Sequence, residues 1–219
     1  MTQVPVQQTD WKQNWQQDHI GFHLSHTNTK LSDHADVISD CKRVLVPLCG
    51  KTLDLHYLAS LGHVCVGIEL VYKAIADFFS EWGVTPLENA ERNSYSHDKI
   101  EILNQNVFAV TPEQTGLFDA IYDRAALVAL PVPIRQRYVD HLFGFLPKGG
   151  KILLNSYDMP RSQQKGPPFA VRNEDVPVLY RCAASIDLLS EETTTADQEP
   201  RLKDRNLEWG KRTLWLITK

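Results

Sequence analysis

The chain lacks most of the features that announce a class at a glance. No run of about 18 apolar residues occurs, so no membrane-spanning helix is expected. The N-terminus has neither a basic segment nor an apolar one after it, so no secretory signal is expected either. There is no basic surplus: 23 Lys and Arg stand against 27 Asp and Glu, a net charge of -4, which argues against a nucleic-acid partner. Cysteine is sparse. Cys41, Cys49, Cys65 and Cys182 form no CxxC pair and have no adjacent histidine, which excludes a zinc ribbon and predicts reduced thiols, three of them in or beside apolar strand-like runs. Among the histidines only His19 and His23 have the i, i+4 ligand spacing of a helix, and Gly21 interrupts it, so no metal site is expected. No repeat and no Gly-, Ser- or Pro-rich linker divides the chain, which predicts one domain over residues 1–219. The first nine residues are polar and expected to be mobile.

What the chain does have is an alternation of short β-branched runs with amphipathic ones. A short helix is predicted between Asp10 and Ile20, with Trp11 and Trp15 one turn apart. Val44 to Val46 starts a buried strand, a helix follows from about Thr52 and stops at Gly62, and Val64 to Ile68 forms the next strand. Val71, Ala74, Ile75, Phe78, Phe79 and Trp82 make a complete helical stripe that ends at Gly83. A polar crossing, ENAERNSYSHD, leads to strands near Ile100–Leu103 and Phe118–Tyr122. A helix from Ile134 to Leu146 follows, with Ile134, Tyr138, Leu142 and Phe145 on one side, and a strand starts at Lys151. Two strand-like runs, CAASIDLLSEE and GKRTLWLITK, end the chain with no helix pattern between them. The class is α/β: a Rossmann-like, mostly parallel seven-stranded sheet with helices on both faces and a C-terminal antiparallel hairpin.

The stretch RVLVPLCGKTLDLHYLASLGHVCVGIE, from Arg43 to Glu69, reads as half of a nucleotide-binding βαβ unit. Its first turn, Pro47-Leu48-Cys49-Gly50-Lys51, holds one glycine where a dinucleotide fingerprint needs three, so NAD and FAD are disfavoured, and with them a nicotinamide oxidoreductase. A P-loop fails as well, because Leu45 stands where its first glycine would be. Glu69 follows Gly50 by about 20 residues, at the end of the second strand, where a carboxylate can accept from ribose hydroxyls. It can equally stabilise the N-terminus of the helix that begins just after it. A turn without a phosphate cradle beside a ribose acid favours S-adenosylmethionine. FDAIYDR, ending at Arg124, places charges at the end of a further strand and at the same crevice. LPKGGKILL, from Leu146, resembles the turn before the fifth strand of class I methyltransferases.

Together, WxxxW followed by Phe22-His23, VPLCGK, VGIE, YDRAALVAL and SYDMPRSQQKGPPF resemble the thiopurine S-methyltransferase family over nearly the whole chain, from Trp11 to the last strand. The resemblance implies a cytosolic, monomeric enzyme that moves a methyl group from S-adenosylmethionine, leaving S-adenosylhomocysteine, to the sulfur of an aromatic or heterocyclic thiol. Selenium and tellurium species are further acceptors it implies for bacterial members. By the same resemblance Trp15 covers the cofactor, Leu48 contacts it from the first turn, Glu69 is its ribose acid and Val107 flanks the adenine. Asn106 stands where many bacterial members have Asp, and an amide can still donate or accept there. Arg124 matches an arginine near the cofactor carboxylate and the acceptor, and Arg205 an arginine near the acceptor.

Trp15 can act through a cation–π contact with the sulfonium or as a plain apolar anchor of its helix. Residues of about 10–40 are expected to cover the cofactor. The loop of about 156–170 has the place and composition of an acceptor lid, with Phe22, Pro167, Pro168 and Phe169 as walls for a flat ring; alternatively its prolines merely stiffen a surface loop. An aromatic thiol ionises readily, so no general base is required, and no His-Asp or Cys-His constellation is evident. A halide or small-thiol methyltransferase and a non-catalytic S-adenosylmethionine sensor are the alternatives.

Overall fold

A computed structural model describes residues 10–160 and 166–219. The polar first nine residues and residues 161–165 of the expected lid lie outside the described residues. The elements follow in chain order. α1 (Trp11–Gln16) and α2 (Thr29–Asp33) precede β1 (Arg43–Pro47), α3 (Asp54–Ser60), β2 (Val64–Glu69) and α4 (Tyr72–Trp82). Then come β3 (Leu87–Asn89), β4 (Ser94–His97), β5 (Ile100–Asn104), α5 (Pro112–Thr115), β6 (Ala120–Arg124), α6 (Val132–Gly144) and β7 (Lys151–Asp158). α7 (Asp175–Leu179), β8 (Ser185–Thr195), α8 (Pro200–Asp204) and β9 (Trp209–Thr218) complete the chain.

The nine strands form one sheet in the order β3-β4-β5-β2-β1-β6-β7-β9-β8. Its centre, β5-β2-β1-β6-β7, is parallel, and β3-β4 and β9-β8 extend it antiparallel at either side. A seven-stranded sheet matches all but the β3-β4 hairpin, which occupies the crossing read as polar coil. Leu87–Asn89 are all exposed, so their pairing rests on backbone bonds at a sheet edge and leaves no apolar alternation to read.

Successive side chains of β1 go to opposite faces. Leu45 joins Ile121, Ile152, Tyr138 and Phe145 in the core beneath α6, whereas Val44 and Val46 join Cys65, Ile75, Phe78 and Tyr122 on the face of α3 and α4. Cys41, Cys49 and Cys65 are buried free thiols and Cys182 is an exposed one. Gly83 ends α4 at φ +76°, a left-handed cap. α1 is shorter than the Asp10–Ile20 reading; Asp10 caps it and Asp18 turns back at φ +54°. β6 begins later than Phe118 because Asp119 turns aside to accept from the Lys42 and Arg43 N–H groups at 2.8 and 2.9 Å. Among the described residues no helix is long and apolar enough to cross a membrane.

Candidate active site

The carboxyl ends of β1, β2 and β5 are adjacent in the parallel sheet, which is where open α/β sheets form their binding crevice. β1 ends in a tight turn in which Leu48 and Gly50 both adopt left-handed backbone, φ +48° and +54°. At Gly50 a Cβ would come within 3.1 Å of the Trp15 ring, so the glycine lets the indole lie directly on the turn. The Glu69 carboxylate at the end of β2 is buried and fastens this turn. Its Oε2 accepts from the Gly50 N–H at 2.9 Å and its Oε1 from the Val71 N–H at 2.7 Å, at the start of α4. Burial raises the Glu69 pKa, and the backbone N–H groups of Val71, Gly50 and Leu70 oppose that rise. The ribose-acid and helix-start readings are thus compatible: the carboxylate braces two backbone segments, and each oxygen retains a lone pair for a further donor.

These residues form the floor of a cleft of about 420 Å³, within the usual range for small-molecule sites. Trp11, Trp15 and Phe22 close it from the N-terminal segment, Phe22 meeting both indoles edge-on at centroid separations of 5.8 and 5.9 Å. Leu48, Glu69 and Val107 line it, as do Asn106 and Phe108. The Asn106 side-chain oxygen accepts from the Phe108 N–H at 2.9 Å, which leaves its amide N–H groups to face a ligand. The opposite wall comes from Ala125, Ala129, Leu130 and Pro131 and from Ile134 and Arg137 of α6. The Arg137 guanidinium lies 4.6 Å from the Phe108 ring centroid.

That wall hangs on two buried polar side chains. Asp123, fully buried, accepts from the Leu127 N–H at 3.0 Å and from the Tyr138 hydroxyl of α6 at 2.9 Å. Burial raises its pKa to about 6 against those hydrogen bonds. It therefore does not join Arg124 at the crevice: alternation along β6 sends it into the core beneath α6. Arg135 donates to the Leu130 carbonyl at 2.9 Å and the Ala170 carbonyl at 2.8 Å, tying the wall to the return of the lid segment.

Arg124 lines a second, smaller recess rather than the main cleft. Its Nη2 donates to the Phe22 carbonyl at 2.8 Å, and its Nη1 lies 3.7 Å from Asp54 Oδ2. Arg205 donates to the Pro167 carbonyl at 3.2 Å, and the Phe169 N–H donates to the Val128 carbonyl at 2.6 Å. Pro167, Pro168 and Phe169 are half-buried and stand outside the residues lining the main cleft. Met159 and Ala170, flanking that loop, pack on Leu202 and Leu207 at and after α8. Sequence reasoning did not assign Trp11, Phe108, Arg137 or the Ala125–Pro131 wall to the site. Trp11 had a signal in its spacing to Trp15, and the wall had one in the YDRAALVAL block.

A sequence profile described as thiopurine S-methyltransferase matches residues 6–219. The chain belongs to the thiopurine S-methyltransferase family. The thiopurine S-methyltransferase of Pseudomonas fluorescens is 46% identical over 76% of this chain and 77% of its own. That of Xanthomonas axonopodis pv. citri is 40% identical over 90% of this chain and 92% of its own. Among solved structures, the N-methyltransferase NodS from Bradyrhizobium japonicum, in complex with S-adenosyl-L-homocysteine, superimposes with a TM-score of 0.63 at 14% identity, covering 94% of this chain and 97% of its own. That likeness shows the class I methyltransferase fold. The protein is an S-adenosylmethionine-dependent methyltransferase that acts on the sulfur of thiopurine-like acceptors. The cleft fits that donor: it is apolar, aromatic-roofed and built on a turn with no phosphate cradle, with a buried carboxylate at its floor.

Proposed function

We propose that the floor of the cleft holds the cofactor and that the acceptor enters between Arg124, the Phe22 cover and the loop that carries Pro167, Pro168 and Phe169. The observation that carries this reading is the Glu69 carboxylate, buried at the end of β2 with a free lone pair on each oxygen and bonded to both the Gly50 and Val71 N–H groups. Glu69 receives the ribose hydroxyls, Val107 and Phe108 flank the adenine with the Asn106 amide at its edge, and Leu48 contacts the ligand from the first turn. Trp15, buried against the turn, closes over it.

S-adenosylmethionine supplies an electrophilic methyl group on a sulfonium, open to in-line attack. The chain's part is alignment and charge: Arg124 steadies an anionic sulfur, and the apolar roof excludes water. Cys49 supplies neither base nor nucleophile, since burial and the neighbouring Glu69 push its thiol well above the usual range. Arg205 acts at a distance, through the Pro167 carbonyl that it holds.

The physiological acceptor is a soft anion, with selenium and tellurium species as further members of that class. The enzyme works in the cytoplasm as a monomer and as one domain over residues 1–219, with residues of about 10–40 as cover and about 156–170 as lid; it needs neither nucleic acid nor membrane. Assaying methyl transfer to a thiopurine, an aliphatic thiol and iodide side by side tests the reading. Thiopurine is expected to be the best substrate. Faster turnover of iodide or the small thiol would replace this reading with the halide or small-thiol alternative, and no methylated product with any acceptor would favour a sensor.

A further inference from the structure

Residues 196–208 leave the sheet between β8 and β9 and carry α8 and Arg205. The Ala196 N–H donates to the Glu208 carbonyl at 3.0 Å and closes the base of this excursion. Its tip reaches the lid segment through the Arg205 bond to the Pro167 carbonyl, and through Leu202 and Leu207 on Met159 and Ala170. Between base and tip stands a polar clamp. Arg212 of β9 donates from Nη2 to both oxygens of Glu199, at 2.6 and 2.8 Å, and the Thr194 hydroxyl of β8 donates to the same carboxylate at 3.1 Å. Glu199 immediately precedes α8, and its carbonyl accepts from the Leu202 N–H at 3.0 Å. Both strands therefore grip the residue from which α8 starts. The hydrogen bonds between Arg212 and Glu199 lower the Glu199 pKa and raise that of Arg212, which keeps both charged.

Arg212 has a second neighbour: its guanidinium lies 5.6 Å from the centroid of the Tyr157 ring, its register partner across β7 and β9. Tyr157 rests directly on Gly210, where a Cβ would collide with its ring and hydroxyl. The same ring packs on Met159, Ala170, Leu202 and Leu207, and the Tyr157 carbonyl accepts from the Val171 N–H at 2.8 Å, where the lid segment returns. Register sets it just past Arg124: Asn155 pairs with Arg124 across β6 and β7, and Tyr157 is the next residue of β7 on that face. One guanidinium thus joins the start of α8 to the ring on which the lid and the α8 tip meet. A partly exposed ion pair contributes little to folding stability, so the clamp matters for where it puts α8. Placement errors of about 1 Å count where an acceptor must be held for in-line attack.

We propose that Glu199 and Arg212 are positioning residues for the acceptor: with Tyr157 they fix α8, and through it Arg205, against the lid segment without touching either reactant. The assignment rests on the acceptor side proposed above and extends it from Arg205 to the residues that hold Arg205 in place. Cofactor binding is left to other residues, since none of the three lines the cleft.

Steady-state kinetics with a thiopurine and calorimetry with S-adenosylhomocysteine test this on Glu199→Ala, Arg212→Ala, the double variant and Glu199→Gln, with Arg124→Ala as reference. Each single alanine variant is expected to raise the acceptor KM about fivefold, while kcat and S-adenosylhomocysteine affinity stay within about twofold. The double variant should show about the same fivefold rise rather than about 25-fold, because both residues act through one contact. Glu199→Gln keeps an acceptor for Arg212 and should bring KM back to within about twofold of wild type. Unchanged KM in both single variants, with Arg124→Ala impaired, would overturn the proposal and leave the acceptor side standing. Multiplied effects in the double variant would overturn it as well, since the residues would then act separately. A parallel loss of S-adenosylhomocysteine affinity would also overturn it, reducing the pair to a brace for the whole sheet. Unchanged kinetics in every variant, Arg124→Ala included, would overturn both readings. Should Arg212→Ala fail to fold, Glu199→Ala and Glu199→Gln decide by the same split of KM from kcat.

Discussion

The two sides of the cleft are built by different means. On the side proposed for the cofactor, Leu48, Glu69 and Val107 stand at or just beyond the ends of β1, β2 and β5, neighbours in one parallel ladder. Strand register sets their spacing, and Glu69 then locks the turn and the α4 start through backbone bonds. On the side proposed for the acceptor, Arg124 comes from a strand end, but its guanidinium is held by the carbonyl of Phe22 in the cover. Arg205 caps the short α8 and Phe169 lies in a loop, and one hydrogen bond from each, to the Pro167 and Val128 carbonyls, ties this side together. The sheet therefore fixes one side before any ligand arrives, while the other depends on a few loop contacts. Within a family that shares a donor, this division allows the acceptor side to vary while the cofactor side stays constant.

The largest expected effect comes from attacking the sheet-built side. Glu69→Ala strands two buried N–H donors, each worth about 1–3 kcal/mol, so the melting temperature should fall and S-adenosylhomocysteine affinity should drop at least about tenfold by calorimetry. Unchanged affinity in a folded variant would break the comparison on its stronger side. Next in size is Arg124→Ala, which should lower kcat/KM for a thiopurine by about tenfold or more, because it removes charge support for an anionic sulfur. Its melting temperature should change far less than that of Glu69→Ala; full activity in this variant would remove Arg124 from the acceptor side.

Asp123 offers a pH test of the wall between the two sides. Its folded pKa of about 6 lies above the unfolded value, so the native state binds more protons between them. Its contribution to stability accordingly falls as pH rises from about 4 to about 6 and stays low above that. Asp123→Asn should flatten this part of the melting-temperature profile, and an unaltered profile would show that Asp123 does not titrate there. The smallest effect is expected from Arg205→Ala: less than about threefold in KM for the acceptor, as suits one exposed hydrogen bond, with S-adenosylhomocysteine affinity unchanged.

The same division explains what the sequence disclosed. The parallel core was legible because strands buried on both faces are continuous β-branched runs, and the α4 stripe with its Gly83 stop was legible from periodicity. Glu69 could be named from its place at the end of such a run, and Trp15, Leu48 and Val107 from the family resemblance of the blocks around them; all four line the cleft. The β3-β4 hairpin escaped because its exposed edge residues carry no pattern. Asp54, Asp123 and Arg135 escaped for another reason. Their decisive partners include backbone atoms or side chains brought close only by folding: Asn28 for Asp54, Tyr138 for Asp123, Ala170 for Arg135. Ile134 was legible as an apolar helix position, but not as one that faces the cleft while Tyr138, Leu142 and Phe145 face the core.

Amide hydrogen exchange, followed with S-adenosylhomocysteine alone and then with a thiopurine added, tests the two-sided account most directly. The account predicts that S-adenosylhomocysteine alone protects residues 48–51, 69–72 and 105–109, and that residues 166–170 and 196–207 gain protection only when the acceptor follows. Protection of 196–207 by S-adenosylhomocysteine alone, with none at 48–51 and 69–72, would contradict it.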